Sequence, residues 1–274
     1  MVKDIEGYLF VVGGAEDKEG KCIILRRFVT LAGGREAVIA VVTAATQRQD
    51  EVGHQYEELF SRLGAGKVRM LHVANREQAN DSDNKALVES ATGVYFTGGD
   101  QLRITSIVGG TALDDELKKV SRRGAVIAGT SAGASVMSDI MIVAGVGQAE
   151  PTRESLRLAP GLGLISQVVI DQHFAQRGRI GRLLGAMAQN PYVMGLGIDE
   201  DTAIEVSTSG RFTVIGSGCV TVLDGRTLTH STVSDTTATE PLALTHVTLH
   251  LLPGGYSFDL IRRRPSFPSK EEEA

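Results

Sequence analysis

A serine between two glycines carries the clearest chemical signal in the sequence. Gly129-Thr130-Ser131-Ala132-Gly133 fits the pattern G-x-S-x-G, with an apolar run at 125–128 before it and a helical pattern at 134–137 after it. A sharp strand-to-helix turn strains its central residue and brings backbone close on both sides, so the neighbours must be small. The pattern predicts a nucleophilic Ser131 and an Ala132 N–H that stabilises an oxyanion. The alternative is a glycine-rich helix start in which Ser131 is the N-cap.

A glycine pair at another strand end could supply a second oxyanion donor. Thr97-Gly98-Gly99-Asp100-Gln101 follows the apolar run at 93–96. Open α/β sheets place ligand sites at the carboxyl ends of their strands. A Gly-Gly peptide exposes its N–H groups without side-chain hindrance, so we predict Gly99 as the second donor. Without the serine motif, a plain tight turn would explain the segment equally well.

A nucleophilic serine also needs a base, normally histidine, and a group that orients the base. Of the six histidines, His173 is favoured because it follows the apolar run at 168–170, in Asp171-Gln172-His173. The next apolar run, 193–198, leads into Asp199-Glu200-Asp201. One of these acids could accept the His173 N–H, but the residues alone do not choose among them. An exposed acidic turn is the alternative.

Three arginines follow His173 closely in the sequence: Arg177, Arg179 and Arg182. Arginine binds carboxylates through two parallel hydrogen bonds. The cluster therefore indicates an acidic substrate, with a solvated loop as the alternative.

The elements that must position these residues follow an α/β pattern. The chain has 274 residues, 42% of them apolar, which is enough for a sizeable core. Fully apolar strands between helical patterns predict a mostly parallel central sheet flanked by helices. After residue 201 the pattern of strands and turns predicts added antiparallel strands. We expect a single α/β domain over 1–267 and a disordered tail at 268–274, which is rich in Pro, Ser and Glu.

Several functional classes fit the sequence poorly. A formal net charge of -5 argues against nucleic-acid binding, and no apolar run approaches the roughly 20 residues of a membrane span. The first eight residues do not read as a signal peptide, and Cys22 and Cys219 read as buried thiols, so a cytoplasmic protein is expected. No His-x-x-x-His or Cys pair supports a metal site. Gly13-Gly14-Ala15-Glu16 reads as a turn or a wall of the site.

Together these motifs resemble the cyanophycinases, within the serine peptidase family that also contains peptidase E. The resemblance extends from Gly13-Gly14-Ala15-Glu16-Asp17-Lys18 to Leu260-Ile261-Arg262, and the stretch 145–158 matches less well. Its carriers are the segments 97–101 and 129–134, Asp171-Gln172-His173-Phe174, and Gly197-Ile198-Asp199-Glu200-Asp201-Thr202-Ala203.

The resemblance implies a class I glutamine-amidotransferase-like fold with serine in place of cysteine. It implies Ser131 as nucleophile, His173 as base and Glu200 as its orienter. It also implies a substrate pocket lined by Gln101, Asp171, Gln172, Arg177, Arg179 and Arg182. The implied reaction is hydrolysis of cyanophycin, a poly-aspartate with arginine on each β-carboxylate, to β-Asp-Arg dipeptides. Homodimers without metal or organic cofactor are expected.

Two other functions stay open at this point. One is an isoaspartyl dipeptidase resembling peptidase E, which would act on short Asp-X peptides. The other is a non-catalytic α/β binding module that keeps the serine turn as scaffold.

Overall fold

Apolar strands and amphipathic helices alternate through the first half of the chain. The computed structural model describes residues 7–145, 150–152, 156–237 and 239–267. The helices are α1 Ile23–Leu31, α2 Gln49–Arg62, α3 Arg76–Ala79, α4 Ser82–Glu89, α5 Gln101–Val108, α6 Ala112–Arg122, α7 Ala132–Ser135 and α8 Ile180–Gln189, with a 3-10 turn at Gly34–Glu36. The tail predicted to be disordered, 268–274, lies outside the described residues.

The strands form two main sheets and two hairpins. In chain order they are β1 Tyr8–Val12, β2 Val38–Val42, β3 Lys67–Leu71, β4 Gly93–Phe96, β5 Val126–Thr130, β6 Ile140–Gly145, β7 Leu156–Pro160, β8 Val168–Gln172, β9 Met194–Ile198, β10 Thr202–Val206, β11 Arg211–Gly216, β12 Cys219–Asp224, β13 His230–Ser231, β14 Leu244–Thr245, β15 Thr248–Pro253, β16 Ser257–Asp259 and β17 Arg264–Ser266. None of the described helices is long and apolar enough to cross a membrane.

The large sheet has nine strands in the order β17-β16-β11-β10-β1-β5-β4-β2-β3. The five strands from β1 to β3 run parallel, and β10, β11, β16 and β17 continue the sheet antiparallel. The predicted α/β class with added antiparallel C-terminal strands is confirmed, and the central sheet as a whole is mixed.

A separate sheet has four strands in the order β15-β12-β9-β8. It contains the apolar runs at 168–170 and 193–198 and two later runs. The sequence pattern assigned the runs around 220–223 and 245–252 to the central sheet. In the structure these runs form part of the small sheet, which packs against one face of the large sheet. Side chains alternate between the two faces of a strand, so only every second residue of β1 meets the small sheet. Leu9 and Val11 of β1 pack in one cluster with Leu196 and Val222 of the small sheet, whereas Phe10 packs on the side of α1 and α2. The small sheet thus covers a face that a helix would otherwise cover.

The carboxyl ends of strands from both sheets meet at one place. Backbone hydrogen bonds join them: Ser131 N donates to Val12 O at 3.0 Å, His173 N to Gly13 O at 2.8 Å, and Asp201 N to Gly14 O at 2.9 Å. The turn after β1 therefore holds together the segments that bear Ser131, His173 and the acidic cluster.

Candidate active site

Ser131 occupies a tight turn between β5 and α7. Its φ of 54° and ψ of -110° lie outside the regions that L-residues favour. A Cβ added at Gly129 would lie 2.4 Å from Gly133 O, and one at Gly133 would lie 2.4 Å from Phe96 O. The glycines on both sides are therefore required by close backbone approach. Helix α7 spans only four residues, so any stabilisation of negative charge here depends on local N–H groups more than on a long helix dipole.

The hydroxyl of Ser131 lies in a chain of three side chains. Ser131 Oγ is 3.0 Å from His173 Nε2, and His173 Nδ1 is 2.6 Å from Glu200 Oε1. Because a carboxylate only accepts hydrogen bonds, Nδ1 carries the proton and Nε2 can accept from Ser131. This is the geometry in which an imidazole takes a proton from a serine.

The three acids at the end of β9 have different partners. The oxygens of Asp199 accept from Ala175 N and Cys219 N, both at 3.1 Å. Those of Asp201 accept from Asp17 N at 3.0 Å and Ser217 Oγ at 2.8 Å. Glu200 alone contacts the His173 ring, whereas the other two stabilise loops.

His173 itself is held in an unusual conformation against a glycine. Its φ is 48°, and a Cβ added at Gly14 would lie 2.4 Å from its Cε1 atom and 2.5 Å from its Nε2 atom. Burial lowers the pKa of His173 below its usual value. The hydrogen bond to Glu200 opposes this shift, and the positive charges of Arg177 and Arg179 add to it. A lowered pKa favours the neutral ring that a base requires.

The predicted oxyanion donors lie beside the serine. A Cβ added at Gly98 would be 3.5 Å from Ser131 Cβ, so the glycine turn contacts the nucleophile turn. Gly99 has φ +148, and a Cβ there would lie 2.3 Å from Ala45 O. Within the described residues, no backbone carbonyl accepts a hydrogen bond from the N–H of Ala132 or Gly99. Gly99 is exposed, and Ala132, the residue after the serine, is buried.

Buried charges next to the serine form a compact network. Asp171 is 1% exposed, and its carboxylate is paired with Arg182 and Arg179. Arg182 Nε lies 2.6 Å from Asp171 Oδ2, and Arg179 contacts both the Gln172 carbonyl and its side-chain amide oxygen. Burial lowers the pKa of Arg179 to about 10, with Asp171 opposing the shift and the neighbouring arginines adding to it.

These predicted pocket residues differ in their access to a substrate. Gln172 Oε1 lies 3.4 Å from Ser131 Oγ, at the reacting centre. Gln101 Nε2 donates to Ile142 O at 2.9 Å and so ties α5 to the β6–β7 hairpin. Arg177 is exposed. Asp171, which the resemblance places in the lining of the pocket, is buried and paired with Arg179 and Arg182.

Sequence reasoning missed one acidic residue near the serine. Glu16 is 4% exposed, and its carboxylate accepts from the hydroxyls of Thr130, Tyr56 and Tyr95. Its position in the glycine turn after a buried strand was the one local feature that pointed to it, and that feature predicts only a residue lining the site. Its hydroxyl partners are distant in sequence, so no local pattern reveals them. Among the described residues, no group of three or more His, Cys, Asp or Glu is arranged to hold a metal ion.

An α/β fold with serine, histidine and carboxylate in hydrogen-bond contact is the arrangement of a serine hydrolase. The chain belongs to Peptidase family S51, whose sequence model matches residues 9–214, and it is a serine peptidase. It is 41% identical to the cyanophycinase of Nostoc sp. over 93% of this chain and 86% of that protein. It is 38% identical to the cyanophycinase of Geminocystis herdmanii over 97% and 98%. The crystal structure of a peptidase from an acI-B1 Actinobacterium has the same fold, with a TM-score of 0.68, 22% identity, and coverage of 92% of this chain and 96% of that one.

Proposed function

We propose that this chain hydrolyses cyanophycin to β-Asp-Arg dipeptides, with Ser131 as its nucleophile. The observation that carries the proposal is the continuous contact from Ser131 Oγ through His173 to Glu200. The identity to curated cyanophycinases, 36–41% over most of the chain, supports the substrate.

In the proposed mechanism, Ser131 Oγ attacks the backbone carbonyl that joins one aspartyl unit to the next. His173 takes the hydroxyl proton at Nε2, and Glu200 stabilises the imidazolium through Nδ1. His173 then gives this proton to the leaving amine as the C–N bond breaks. Water, deprotonated by the same ring, attacks the acyl-enzyme, and the ring returns its proton to Ser131 Oγ as the ester bond breaks.

The negative charge on the carbonyl oxygen requires donors that are already in place. The N–H groups of Ala132 and Gly99, which donate to no backbone carbonyl among the described residues, are the proposed donors. Removing one such donor in a comparable site costs about 3 kcal/mol of transition-state stabilisation.

The charge of the pocket suits a substrate whose every unit is zwitterionic. The exposed Arg177 is the proposed partner of a substrate carboxylate. Arg179 and Arg182 are oriented by Asp171, and Arg179 also binds the side chain of Gln172 beside the serine. We therefore propose Asp171 as a group that positions arginines, without direct contact to the substrate. Pockets built from paired polar groups discriminate strongly against ligands that lack a partner.

The experiment that tests the proposal is incubation of the protein with purified cyanophycin, followed by mass spectrometry of the soluble products. We expect β-Asp-Arg from the wild type, and a loss of about 10⁶-fold in rate for Ser131→Ala, as for other serine nucleophiles. Release by Ser131→Ala at the wild-type rate would refute the assignment of the nucleophile.

An isoaspartyl dipeptidase is the alternative, and the identity of the chain to cyanophycinases does not favour it. The same experiment, run in parallel with a panel of isoaspartyl dipeptides, separates the two activities. If the protein cleaves the dipeptides and leaves cyanophycin intact, the isoaspartyl dipeptidase becomes the better assignment.

We also propose that the protein acts as a homodimer in the cytoplasm. The resemblance to the family supports the dimer, and two free cysteines, Cys22 buried and Cys219 partly exposed, fit a reducing compartment. Light scattering of the purified protein and fractionation of the host cell test these two points.

A further inference from the structure

Glu16 is a buried acid that the proposed mechanism does not use. Its side chain is 1% exposed, and the amine of Lys18, at 3.4 Å, is the cation nearest to it. Burying a carboxylate is costly unless hydrogen bonds replace its water. Glu16 accepts three such bonds. The question is what this buried carboxylate contributes beyond the stability of the fold.

The three bonds come from hydroxyl groups on separate elements. Thr130 Oγ1 donates to Glu16 Oε2 at 2.6 Å, and the hydroxyls of Tyr56 and Tyr95 donate to Oε1 at 2.8 and 3.2 Å. Burial, together with the negative charge of Glu16, raises the pKa of both tyrosines well above the usual value. Both therefore remain protonated donors that fix the carboxylate between them.

The shortest bond reaches the residue directly before the nucleophile. Thr130 ends β5, and Ser131 follows it with a strained φ of 54°. A strained residue keeps its conformation only when the surrounding structure holds it there. The Glu16–Thr130 bond holds the side chain of the residue directly before the strained one.

Glu16 also belongs to the turn that contacts the base. Gly14, two residues earlier, packs on the His173 ring, and Gly13 O accepts from His173 N at 2.8 Å. The turn from Gly13 to Glu16 therefore touches His173 directly and binds Thr130, the residue before Ser131, so it is linked to both sides of the 3.0 Å contact between Ser131 and His173.

We infer that Glu16 is a positioning residue that locks the nucleophile turn to the loop of the base through its bond to Thr130. The inference rests on the proposed nucleophilic role of Ser131, but on neither the identity of the substrate nor the release of a dipeptide. It gives the Gly13-Gly14-Ala15-Glu16 segment a function beyond that of a turn.

The test measures the reaction of Ser131 with phenylmethanesulfonyl fluoride, in which Oγ displaces fluoride and the hydroxyl proton leaves. Mass spectrometry of the intact protein gives the rate without any substrate. Thr130→Val removes the hydroxyl but keeps the shape, and Thr130→Ser keeps the hydroxyl. Misplacement of a reacting group by about 1 Å can cost a hundredfold in rate, so we expect a loss of about tenfold or more for Thr130→Val and Glu16→Gln. Thr130→Ser should stay within about threefold of the wild type.

A control separates positioning from general loss of stability. Asp224 is a buried carboxylate bound to Arg263 at 2.7 Å, at the end of β12 opposite the site. Asp224→Asn should lower the melting temperature but leave the labelling rate within about twofold. The double variant Glu16→Gln/Thr130→Val should react about as slowly as Thr130→Val, because Glu16→Gln weakens the same interaction that Thr130→Val removes.

Two results would overturn the inference. One is a wild-type labelling rate in folded Thr130→Val; the other is a double variant whose loss equals the product of the single losses. If the wild-type Ser131 is not labelled at all, its role as nucleophile fails and this inference fails with it. Labelling without hydrolysis of cyanophycin would refute only the proposed substrate.

Discussion

The two halves of the candidate site come from different sheets and are held in different ways. Ser131 and the Gly98-Gly99 turn extend from β5 and β4, adjacent parallel strands of the large sheet. His173 and Glu200 follow β8 and β9 of the small sheet. Each half is fixed internally by continuous strand pairing. In the part of the chain that the structure describes, the halves are joined by backbone hydrogen bonds from His173 N to Gly13 O and from Asp201 N to Gly14 O. The contact between Ser131 and His173 therefore depends on this junction of the two sheets at Gly13 and Gly14, called the seam below.

This arrangement predicts which changes disturb chemistry without disturbing the fold. Side chains in the contact from Ser131 through His173 to Glu200 should control the rate. Neighbours that bind only loop atoms should control stability. The adjacent acids Glu200 and Asp201 offer this comparison within one turn.

The largest of the three effects predicted here is expected for Glu200→Gln. The amide keeps the size of the side chain but can no longer stabilise an imidazolium, and comparable changes lower kcat by about 10⁴-fold. Measurement of kcat on cyanophycin, with circular dichroism to verify folding, gives the effect.

Asp201→Asn is the matched control for this change. Its carboxylate binds Asp17 N and Ser217 Oγ, away from the ring, and asparagine tolerates its φ of 45°. We expect a lower melting temperature with kcat within about threefold, because only loop contacts are lost. Equal losses of kcat in both variants would contradict a special role for Glu200.

Gly14→Ala should have the next largest effect. The new methyl group would lie 2.4 Å from the His173 ring, so the ring must leave its position next to Ser131 Oγ or the turn must shift. A displacement of about 1 Å can cost about 10²-fold in kcat.

Gly124→Ala controls for the strain of the backbone. Gly124 has φ +99 against +100 at Gly14, but a Cβ at Gly124 meets no atom within 4 Å. Both alanines should destabilise by a similar 1–2 kcal/mol or so, and only Gly14→Ala should lose activity. Full activity in Gly14→Ala would show that the seam adapts.

The sequence revealed the two halves of the site better than it revealed the seam. Glycines around Ser131 and the polar residues after apolar runs are local signals, because strand ends and tight turns constrain residue type over a few positions. The choice of Glu200 over its neighbours needed family resemblance, since three adjacent acids have the same local pattern. The pairing of Asp171 with two arginines and the hydroxyls around Glu16 are long-range contacts, which no periodicity encodes. The small sheet was not predicted for the same reason, since the sequence pattern of an apolar strand is the same in either sheet.

The smallest of the effects predicted here is electrostatic and concerns Arg177. Its positive charge lowers the pKa of His173, and the rate of a reaction that uses neutral His173 falls as the pH drops through that pKa. Arg177→Ala removes the charge, so the pKa of His173 rises and the acidic limb of the pH profile moves to higher pH. Arg177→Lys keeps the charge and should leave the limb in place.

The pH profile is best measured on the labelling of Ser131 by phenylmethanesulfonyl fluoride, because Arg177 is also a proposed contact of the substrate. Salt screens an exposed charge, so the wild-type limb should move toward that of Arg177→Ala as ionic strength rises, while the limb of the variant moves less. An acidic limb that stays in place in Arg177→Ala would contradict this reasoning. In that case burial, the bond to Glu200 and the charge of Arg179 would set the pKa of His173, and the exposed arginine would act on the substrate alone.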